Sequence, residues 1–258
     1  MNPTPLLPLP RHYNEPMAPA NRPGPRVAFF GGSFDPPHRG HLSIADAAST
    51  ALGLDQVLFA PVGAQPLKPH GSTASFADRV AMTRLAIAGE PRFALSLADA
   101  PNHTGQPNFT YETLVALHEK LGPSTELFCL MGADSFLALR HWHRGSELPF
   151  LAPLIVASRP GQSFAALAAV LPDGLRLAHD CASSASGGAV EMHSCLLSNA
   201  AGATTPFYLL PGLHIETSAT AIREEVRSEA VGIPAGEGHH SDLPDAVFDY
   251  IAAHNLYR

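Results

Sequence analysis

Residues 31–42 constrain the fold of this chain more than any other stretch. They read Gly-Gly-Ser-Phe-Asp-Pro-Pro-His-Arg-Gly-His-Leu. The four residues before them, 27–30, form an apolar, β-prone run that is typical of a buried parallel strand. After them, apolar residues recur at helical spacing from Leu42 to Leu52. The stretch is therefore predicted to be the turn between a strand and a helix.

The residues of this turn favour the binding of an anion. Gly31 and Gly32 allow a tight turn and let a ligand approach the backbone. The start of the following helix offers unpaired N–H groups and the positive end of the helix dipole. His38 and His41 are three residues apart, so they lie on one helix face and can both donate hydrogen bonds to phosphate oxygens. Phosphate is the predicted ligand.

The rest of the chain alternates apolar, β-prone runs with helical segments. Strands are predicted at residues 56–60, 93–97, 126–131, 154–157 and 206–210, and helices at about 75–88, 110–121, 218–228 and 244–254. Strands separated by helices form βαβ units, and hence a parallel sheet that binds ligands beyond the carboxyl ends of its strands. We expect an α/β fold of the Rossmann-like type: a doubly wound parallel sheet with helices on both faces, in a single domain with an irregular insertion.

Two segments fall outside this pattern. Residues 1–25 are rich in proline and asparagine, and they are predicted to be a disordered or loosely attached tail to the domain of residues 26–258. Between about residues 162 and 205 alanine, serine and glycine dominate, so a partly flexible surface insertion is expected. Because it offers little apolar material to bury, removal of residues 178–204 is predicted to leave a folded, active protein.

Composition narrows the possible partners. The 16 Lys and Arg against 23 Asp and Glu give a net charge of −7 without a dense basic run, which argues against nucleic-acid binding. No run approaches the ~18 apolar residues of a membrane span, and residues 1–25 lack the basic segment and apolar core that are typical of a secretory signal. Cys129, Cys181 and Cys195 show no metal-ligand or paired spacing. We therefore expect a cytoplasmic protein with neither a nucleic-acid nor a membrane partner.

Residues 31–42 resemble the pattern Gly-x-Phe-Asp-x-x-His-x-Gly-His of the nucleotidylyltransferase superfamily, and within it bacterial nicotinate-nucleotide adenylyltransferase most closely. Residues 218–223, Ser-Ala-Thr-Ala-Ile-Arg, are similar to that family's Ile-Ser-x-Thr-x-Ile-Arg, with Ile215 displaced by an extra Glu-Thr. The resemblance covers roughly residues 26–160 and 210–258. It implies transfer of the adenylyl group of ATP to nicotinate mononucleotide, which yields nicotinate adenine dinucleotide and pyrophosphate in NAD biosynthesis.

The resemblance implies that the ATP phosphates are bound by these two motifs. His38, His41 and Arg223 are the candidate catalytic residues, with Arg223 at the β and γ phosphates. Further ATP contacts are expected from Gly31, Gly32, Ser33, Phe34, Ser218 and Thr220. An arginine can hold two phosphate oxygens at once. Residues 218–223 taken alone also fit an ordinary capped helix with a surface arginine.

A third motif, Gly-Ala-Asp-Ser at residues 132–135, follows a predicted strand. The family's matching residues bind the adenosine ribose, which implies contacts from Gly132 and Asp134. An acidic residue beyond a strand end is well suited to accept hydrogen bonds from ribose hydroxyls. Asp134 also fits the N-cap of a helix, and the two roles are compatible.

The same resemblance supplies five candidates for the mononucleotide site: Lys68, Thr110, Tyr111, Trp142 and His143. Thr110 and Tyr111 begin a predicted helix whose backbone contacts suit the nicotinate carboxylate, and Trp142 stands where the family stacks an indole on the pyridine ring. A single tryptophan is also a common core residue, and Lys68 also fits a solvated loop. This chain departs from the family where Leu67 replaces a usual histidine and where a second tryptophan is missing.

The implied reaction needs no general base, because a phosphate monoester is already anionic at neutral pH. Magnesium is expected to arrive with ATP, and no dedicated carboxylate site for a metal is predicted. Two other functions stay open: a sister transferase acting on phosphopantetheine or a CTP-linked substrate, and a non-catalytic nucleotide-binding module. The sister enzymes would lack Gly-Ala-Asp-Ser with a downstream tryptophan. A non-catalytic module would be expected to lose a phosphate-binding His or Arg.

Overall fold

The structure is a computed structural model of the chain. It describes residues 24–66, 71–102, 105–158, 167, 169–177, 182–184, 191–212, 218–230 and 242–258. Residues 1–23 of the predicted tail therefore lie outside the described residues. Within these ranges, no helix combines the length and the apolar character needed to cross a membrane.

Strands and helices alternate along the first part of the described chain. The strands are β1 (Arg26–Gly32), β2 (Gln56–Pro61), β3 (Phe93–Leu95), β4 (Glu126–Gly132) and β5 (Leu154–Ala157). The helices are α1 (Arg39–Leu52), α2 (Phe76–Ile87), α3 (Thr110–Leu121), α4 (Ala133–Leu137) and α5 (Leu148–Leu151), with a 3-10 turn at Leu139–His141. Then come β6 (Arg176–Leu177), β7 (Ala182–Ser184), β8 (Met192–Ser198), β9 (Thr204–Leu210), α6 (Ala219–Ala230) and α7 (Asp245–Ala253).

The nine strands of the described residues form one sheet. Its order is β3-β2-β1-β4-β5-β9-β8-β6, and β7 also pairs with β8. From β3 to β9 all neighbours are parallel, as the alternation of strands and helices requires. The chain builds outward from β1 first in one direction and then, from β4 onward, in the other. The prediction of a doubly wound α/β sheet is confirmed.

Helices cover both faces of this sheet. In β1, Phe29 packs in the same apolar cluster as Leu114 of α3, whereas the next residue, Phe30, packs in the cluster that contains Ile44 of α1. Since neither face meets water, the central strands are continuous apolar runs instead of alternating ones. Burial on both faces explains why residues 27–30 are an unbroken apolar run.

A third apolar cluster joins the C-terminal helices to α2. It contains Met82 of α2, Ile222 of α6, Val247 of α7 and Tyr257 near the chain end. The two C-terminal helices are thereby held beside the segment that follows β1, because the Tyr257 hydroxyl donates a hydrogen bond to Asp35 over 2.9 Å.

Part of the stretch predicted to be an irregular insertion is regular. β8 pairs antiparallel with β9 along its length, and Met192, Cys195 and Leu197 of β8 are buried. Three apolar side chains suffice for a strand when an edge such as β9 is available, even where small polar residues dominate the surrounding composition. Removal of residues 178–204 would take this neighbour away from β9, so the structure contradicts the expected tolerance to that deletion.

The cysteines also differ from expectation. Cys195 is disulfide-bonded, whereas Cys129 is a free thiol in the core. Burial raises the pKa of Cys129 to about 12, so this thiol stays protonated at neutral pH. Cys181 lies outside the described residues. The lack of a paired spacing along the sequence therefore does not exclude a disulfide at Cys195.

The packing of β8 can be tested by truncating one buried side chain. Leu197→Ala is expected to lower the free energy of unfolding by about 2–4 kcal/mol, because a fully buried side chain is lost and a cavity is left. Leu196→Ala, at the half-buried neighbour on the same strand, is the matched control and is expected to cost less than about 1 kcal/mol. Urea unfolding followed by circular dichroism measures both. Small and equal losses would mean that β8 does not pack on the core.

Candidate active site

The first and third motifs meet at one edge of the sheet. Gly31 and Gly32 are the last residues of β1, and Gly132 is the last residue of β4. The two strands are parallel neighbours in which Phe30 pairs with Leu130, so their carboxyl ends lie side by side. The strand order reverses between β1 and β4, and parallel sheets bind ligands at such a point.

His38 and His41 lie together at the start of α1. His38 is the N-cap residue, and its backbone N–H donates to Nδ1 of His41 over 3.2 Å. The centroids of the two rings are 3.8 Å apart. Burial, and then the nearby His38, lowers the pKa of His41 well below its usual value. His41 is therefore neutral at pH 7 with its proton on Nε2, which is the atom left to donate to a ligand.

Phe34 packs against one of these two histidines, His41. Its ring lies edge-on to His41 at 5.0 Å and to Phe30 at 5.6 Å between centroids. Its φ of 47° is in the left-handed region, which a non-glycine residue adopts at a cost and keeps only when its surroundings enforce it. Gly32 belongs to the same arrangement, because a Cβ there would lie 3.1 Å from the Phe34 ring.

Two arginines hold the backbone on either side of Phe34. Arg79 of α2 donates to the carbonyl oxygen of Ser33 over 2.7 Å and to that of Val62, just after β2, over 2.8 Å. Arg223 of α6 donates to the carbonyl oxygen of Asp35 over 2.7 Å. The segment between β1 and α1, residues 33–38, is named the β1–α1 loop below. Its conformation thus depends on two helices that are distant in sequence.

The Asp35 carboxylate is buried and fully engaged. It accepts from the backbone N–H of Thr73 over 2.6 Å, from that of Ala74 over 3.0 Å, and from the Tyr257 hydroxyl over 2.9 Å. Burial raises the pKa of Tyr257, and the nearby Asp35 adds to this, so the hydroxyl remains a donor. Asp35 therefore ties the β1–α1 loop to the start of α2 and to the chain end.

The second motif caps and begins α6. Ser218 Oγ accepts from the backbone N–H of Ala221 over 3.1 Å, which is the predicted N-cap contact. Arg223 donates through Nη1 to Asp35 and through Nη2 to Thr220 Oγ1, over 3.2 Å. These bonds use two of the five N–H groups that an arginine carries. Residues that are 188 positions apart, Asp35 and Arg223, are thereby brought into direct contact.

Asp134 lies in the first turn of α4, at the carboxyl end of β4, and its side chain is exposed. The N-cap of this helix is Gly132, so the alternative role of Asp134 as the N-cap is wrong. A carboxylate in the first turn still suits the positive end of the helix dipole.

The four described candidates for the mononucleotide site lie in neighbouring segments. Thr110 and Tyr111 are the first residues of α3. The His143 ring lies 4.7 Å from that of Phe109, the N-cap of α3, and His143 Nε2 is 3.1 Å from a carboxylate oxygen of Glu112. Residues 110–111 and residue 143 are thereby brought to the same helix start, whereas Lys68 lies outside the described residues.

Tyr111 and Trp142, two of the aromatic candidates, already make contacts within the protein. The guanidinium of Arg144 lies 3.7 Å from the centroid of the Tyr111 ring, within the range of a cation–π contact. Trp142 is half-buried and packs against the core on the α3 face. Part of the indole is therefore core, as expected for a single tryptophan, and part remains at the surface.

Four residues of this edge were not among the candidates. Asp35 lies inside the first motif, but nothing in the sequence shows that Tyr257, at the other end of the chain, donates to it. Arg79 carries a weak signal, since it lies three residues from both Phe76 and Met82, on the apolar side of α2. The sequence around Asp99 gives no signal that this residue is buried, because a carboxylate in a loop is normally solvated.

Asp99 is a buried carboxyl beneath the first turn of α3. It is 3% exposed and accepts from the Thr113 hydroxyl over 2.8 Å, while its backbone carbonyl accepts from the N–H of Gly63 over 2.8 Å. Burial raises its pKa to about 6, although the hydrogen bond from Thr113 opposes the shift. The contact joins the segment after β2 to the helix where the mononucleotide candidates lie.

Comparison with known sequences identifies related proteins. A cytidylyltransferase-like family model matches residues 29–240. A probable nicotinate-nucleotide adenylyltransferase from Gloeobacter violaceus is 35% identical over 234 residues, which cover 91% of this chain and 97% of the relative. Another, from Marinobacter nauticus, is 38% identical over 230 residues, which cover 88% of this chain and 94% of the relative.

Solved structures share the fold. Nicotinic acid mononucleotide adenylyltransferase from Plasmodium falciparum, complexed with NaAD, has a TM-score of 0.62 at 16% identity and covers 90% of this chain and 97% of its own. A structure described as a putative nicotinate-nucleotide adenylyltransferase from Vibrio parahaemolyticus has a TM-score of 0.54, covering 91% of this chain and 96% of its own, also at 16% identity. At this identity the likeness establishes the architecture alone.

The buried Asp99 predicts a pH dependence of stability. Its raised pKa, about 6 against about 3.9 in the unfolded chain, means that the folded state binds the proton more tightly. Stability should therefore fall as pH rises from about 4 to 6, by about 2–3 kcal/mol. Asp99→Asn keeps an acceptor for Thr113 and is expected to remove this decline, so that it is more stable than wild type at pH 7.

Urea unfolding between pH 4.5 and 7.5 measures the difference between variant and wild type. Asp249→Asn, at an exposed carboxylate on α7, is the control and should change little across this range. A difference for Asp99→Asn that does not vary with pH would contradict the raised pKa.

Proposed function

Because this chain belongs to the nicotinate-nucleotide adenylyltransferases of the cytidylyltransferase-like family, we propose that it transfers the adenylyl group of ATP to nicotinate mononucleotide. The products are nicotinate adenine dinucleotide and pyrophosphate. The reaction belongs to NAD biosynthesis, and the cytoplasm stays a proposal for its location, although the disulfide at Cys195 is not what a reducing compartment favours.

One observation carries the proposal beyond family membership. Arg223, from the second motif, donates directly to the backbone of Asp35, in the first motif. Two segments that each suit phosphate are thus joined at the sheet edge where parallel α/β folds bind nucleotides. A nucleotide triphosphate is the substrate that such a pair of sites fits.

The chemistry follows from the charges of the reactants. An oxygen of the mononucleotide's 5′-phosphate attacks the α-phosphorus of ATP and forms a new P–O bond. The bond between the α-phosphorus and the oxygen that links it to the β-phosphate breaks. The bonding electrons leave with pyrophosphate, and no proton has to be removed from the nucleophile. The protein's task is to align two polyanions and to stabilise the charge that moves to the leaving group.

The phosphates of ATP are assigned to three side chains and to the backbone around them. His41 donates through Nε2, His38 lies beside it at the start of α1, and Arg223 holds the β and γ groups through its remaining N–H groups. A neutral histidine donor suits this task, because its proton is shared with the phosphate and not transferred. Asp134, at the end of β4, accepts from the ribose hydroxyls.

Magnesium belongs to the substrate in this account. No cluster of His, Cys, Asp or Glu that could hold a metal occurs among the residues described above. The groups around the β1–α1 loop are N–H donors, which suit phosphate oxygens and not Mg²⁺, whereas the phosphates of ATP are oxygen ligands that Mg²⁺ prefers. Bound with ATP, the ion would supply neutralisation of phosphate charge.

The pyridine carboxylate of nicotinate mononucleotide is assigned to the start of α3. A nicotinate carboxylate accepts hydrogen bonds from backbone N–H groups and is favoured by the helix dipole, whereas a nicotinamide NH₂ needs an acceptor there. Thr110 and Tyr111 supply the helix start, with Trp142 and His143 on the neighbouring segment. An unpaired polar group costs ~1–3 kcal/mol, so an acid preference of at least about tenfold follows.

The purified protein, supplied with Mg-ATP and nicotinate mononucleotide, is expected to release pyrophosphate and form nicotinate adenine dinucleotide. Nicotinamide mononucleotide should be used with a kcat/KM at least about tenfold lower. A coupled pyrophosphate assay with product identification by mass spectrometry measures both. Turnover only of phosphopantetheine or of a CTP-linked substrate would contradict the proposal, as would nucleotide binding without turnover.

His41→Ala is expected to lower kcat by about 100-fold while ATP binding changes little, because a donor aimed at developing charge acts mainly in the transition state, worth ~3 kcal/mol. His118→Ala, at an exposed histidine of α3, is the matched control and should leave kcat unchanged. Steady-state kinetics and calorimetric binding of an ATP analogue separate the two effects. Undiminished turnover in a folded His41→Ala protein would remove His41 from the mechanism.

A further inference from the structure

Arg79 is a buried cation at the active edge that the reaction scheme above does not use. It is 2% exposed, and its guanidinium spans two carbonyl oxygens, those of Ser33 and Val62. These carbonyls follow the ends of β1 and β2, the two strands that pair beside the crevice. No acidic side chain hydrogen-bonds Arg79 within the described part of the chain, and its Nε lacks a partner there.

We propose that Arg79 is a positioning residue for adenylyl transfer, which holds the β1–α1 loop in the one conformation that presents its backbone N–H and His41 to the ATP phosphates. The inference rests on the proposed function, because it concerns the same ATP site. Arg79 does not itself touch the substrate.

The geometry of the peptide bond gives the first step. The bond between Ser33 and Phe34 is trans, since the cis bond of this loop is the one between Asp35 and Pro36. In a trans peptide the C=O and the following N–H point in opposite directions. Because the Ser33 carbonyl is turned to the buried guanidinium, the Phe34 N–H points the opposite way, and we assign it to the bound phosphate.

The backbone of Phe34 gives the second step. Its left-handed φ of 47° lies between the carbonyl held by Arg79 and the carbonyl held by Arg223. A strained conformation of this kind persists only when both sides are fixed. If one side is released, the Phe34 ring can leave its edge-on contact with His41, and the imidazole loses the surface that orients it.

The free-energy cost of burying the charge of Arg79 gives the third step. Burial lowers the pKa of its guanidinium, and the nearby charge of Asp35 opposes this only in part. The guanidinium is hydrogen-bonded to two carbonyls and lies 5.4 Å from the centroid of the Phe76 ring, but no carboxylate hydrogen-bonds it within the described residues. Its charge is therefore buried without an ion pair, which is costly, whereas two fixed donors at a set spacing are what an arginine provides and a lysine does not.

The test uses two substitutions at this position and one control. Arg79→Met keeps much of the volume and removes all donors, and Arg79→Lys keeps the charge but can reach only one carbonyl. Arg84→Met, at an exposed arginine on the same helix, is the matched control. Melting temperatures are measured first, and kcat, both KM values and the affinity for an ATP analogue are then measured well below each melting point.

Arg79→Met is expected to lower kcat by about 100-fold, the loss that a misplacement on the order of 1 Å produces, with the KM for nicotinate mononucleotide nearly unchanged. Arg79→Lys should fall between this variant and wild type, and Arg84→Met should match wild type. Should Arg79→Met fail to fold, a reduced kcat in folded Arg79→Lys carries the same test.

Wild-type kcat in either folded Arg79 variant would overturn the proposal, because a residue that only stabilises the fold changes the melting temperature and not the turnover of the folded protein. The wild-type assay separates this outcome from failure of the proposed function. A wild type that does not use nicotinate mononucleotide would contradict the function, whereas an active wild type with equally active Arg79 variants contradicts only the role of Arg79.

Discussion

The hydrogen bonds that fix the β1–α1 loop are the interactions on which the rest of the site depends. The Asp35 carboxylate joins the loop to the start of α2 and to Tyr257, and the Asp35 carbonyl joins it to Arg223. All of these partners come from segments that are remote in sequence, so the shape of the loop depends on the packing of the C-terminal helices against it.

Hydrogen-bond donors are concentrated at this edge although the molecule as a whole is negative. The chain carries a net −7, and Asp35 and Asp134 place carboxylates here, yet the segment around β1 also has two arginines and the N-terminus of α1 beside it. His41 adds a donor without adding a charge, because its burial keeps the ring neutral. A site of this kind attracts a polyanion through fixed donors and dipoles, while the negative exterior gives no reason for nucleic acid to bind.

The elements of the fold could be predicted almost to the residue where a local pattern fixed them, as in α3 and β5. β8 was not predicted because its three buried side chains lie among small polar residues, so the composition of the segment is still that of an irregular loop. In the site, the motifs located His38, His41 and Arg223, but no local signal shows that Tyr257 donates to Asp35 or that Arg79 holds Ser33. Such contacts are tertiary, and a single sequence records the residues without recording which of them meet.

The proposed mechanism depends on His41 being a neutral donor with its proton on Nε2. Nitrogen NMR of the ¹⁵N-histidine-labelled protein, with the His41 signals assigned by comparison with a variant that lacks it, measures this directly. At pH 7, before nucleotide is added, we expect the pattern of a neutral ring protonated on Nε2, which shifts when an ATP analogue binds. A charged ring at pH 7, or a neutral ring protonated on Nδ1, would contradict it.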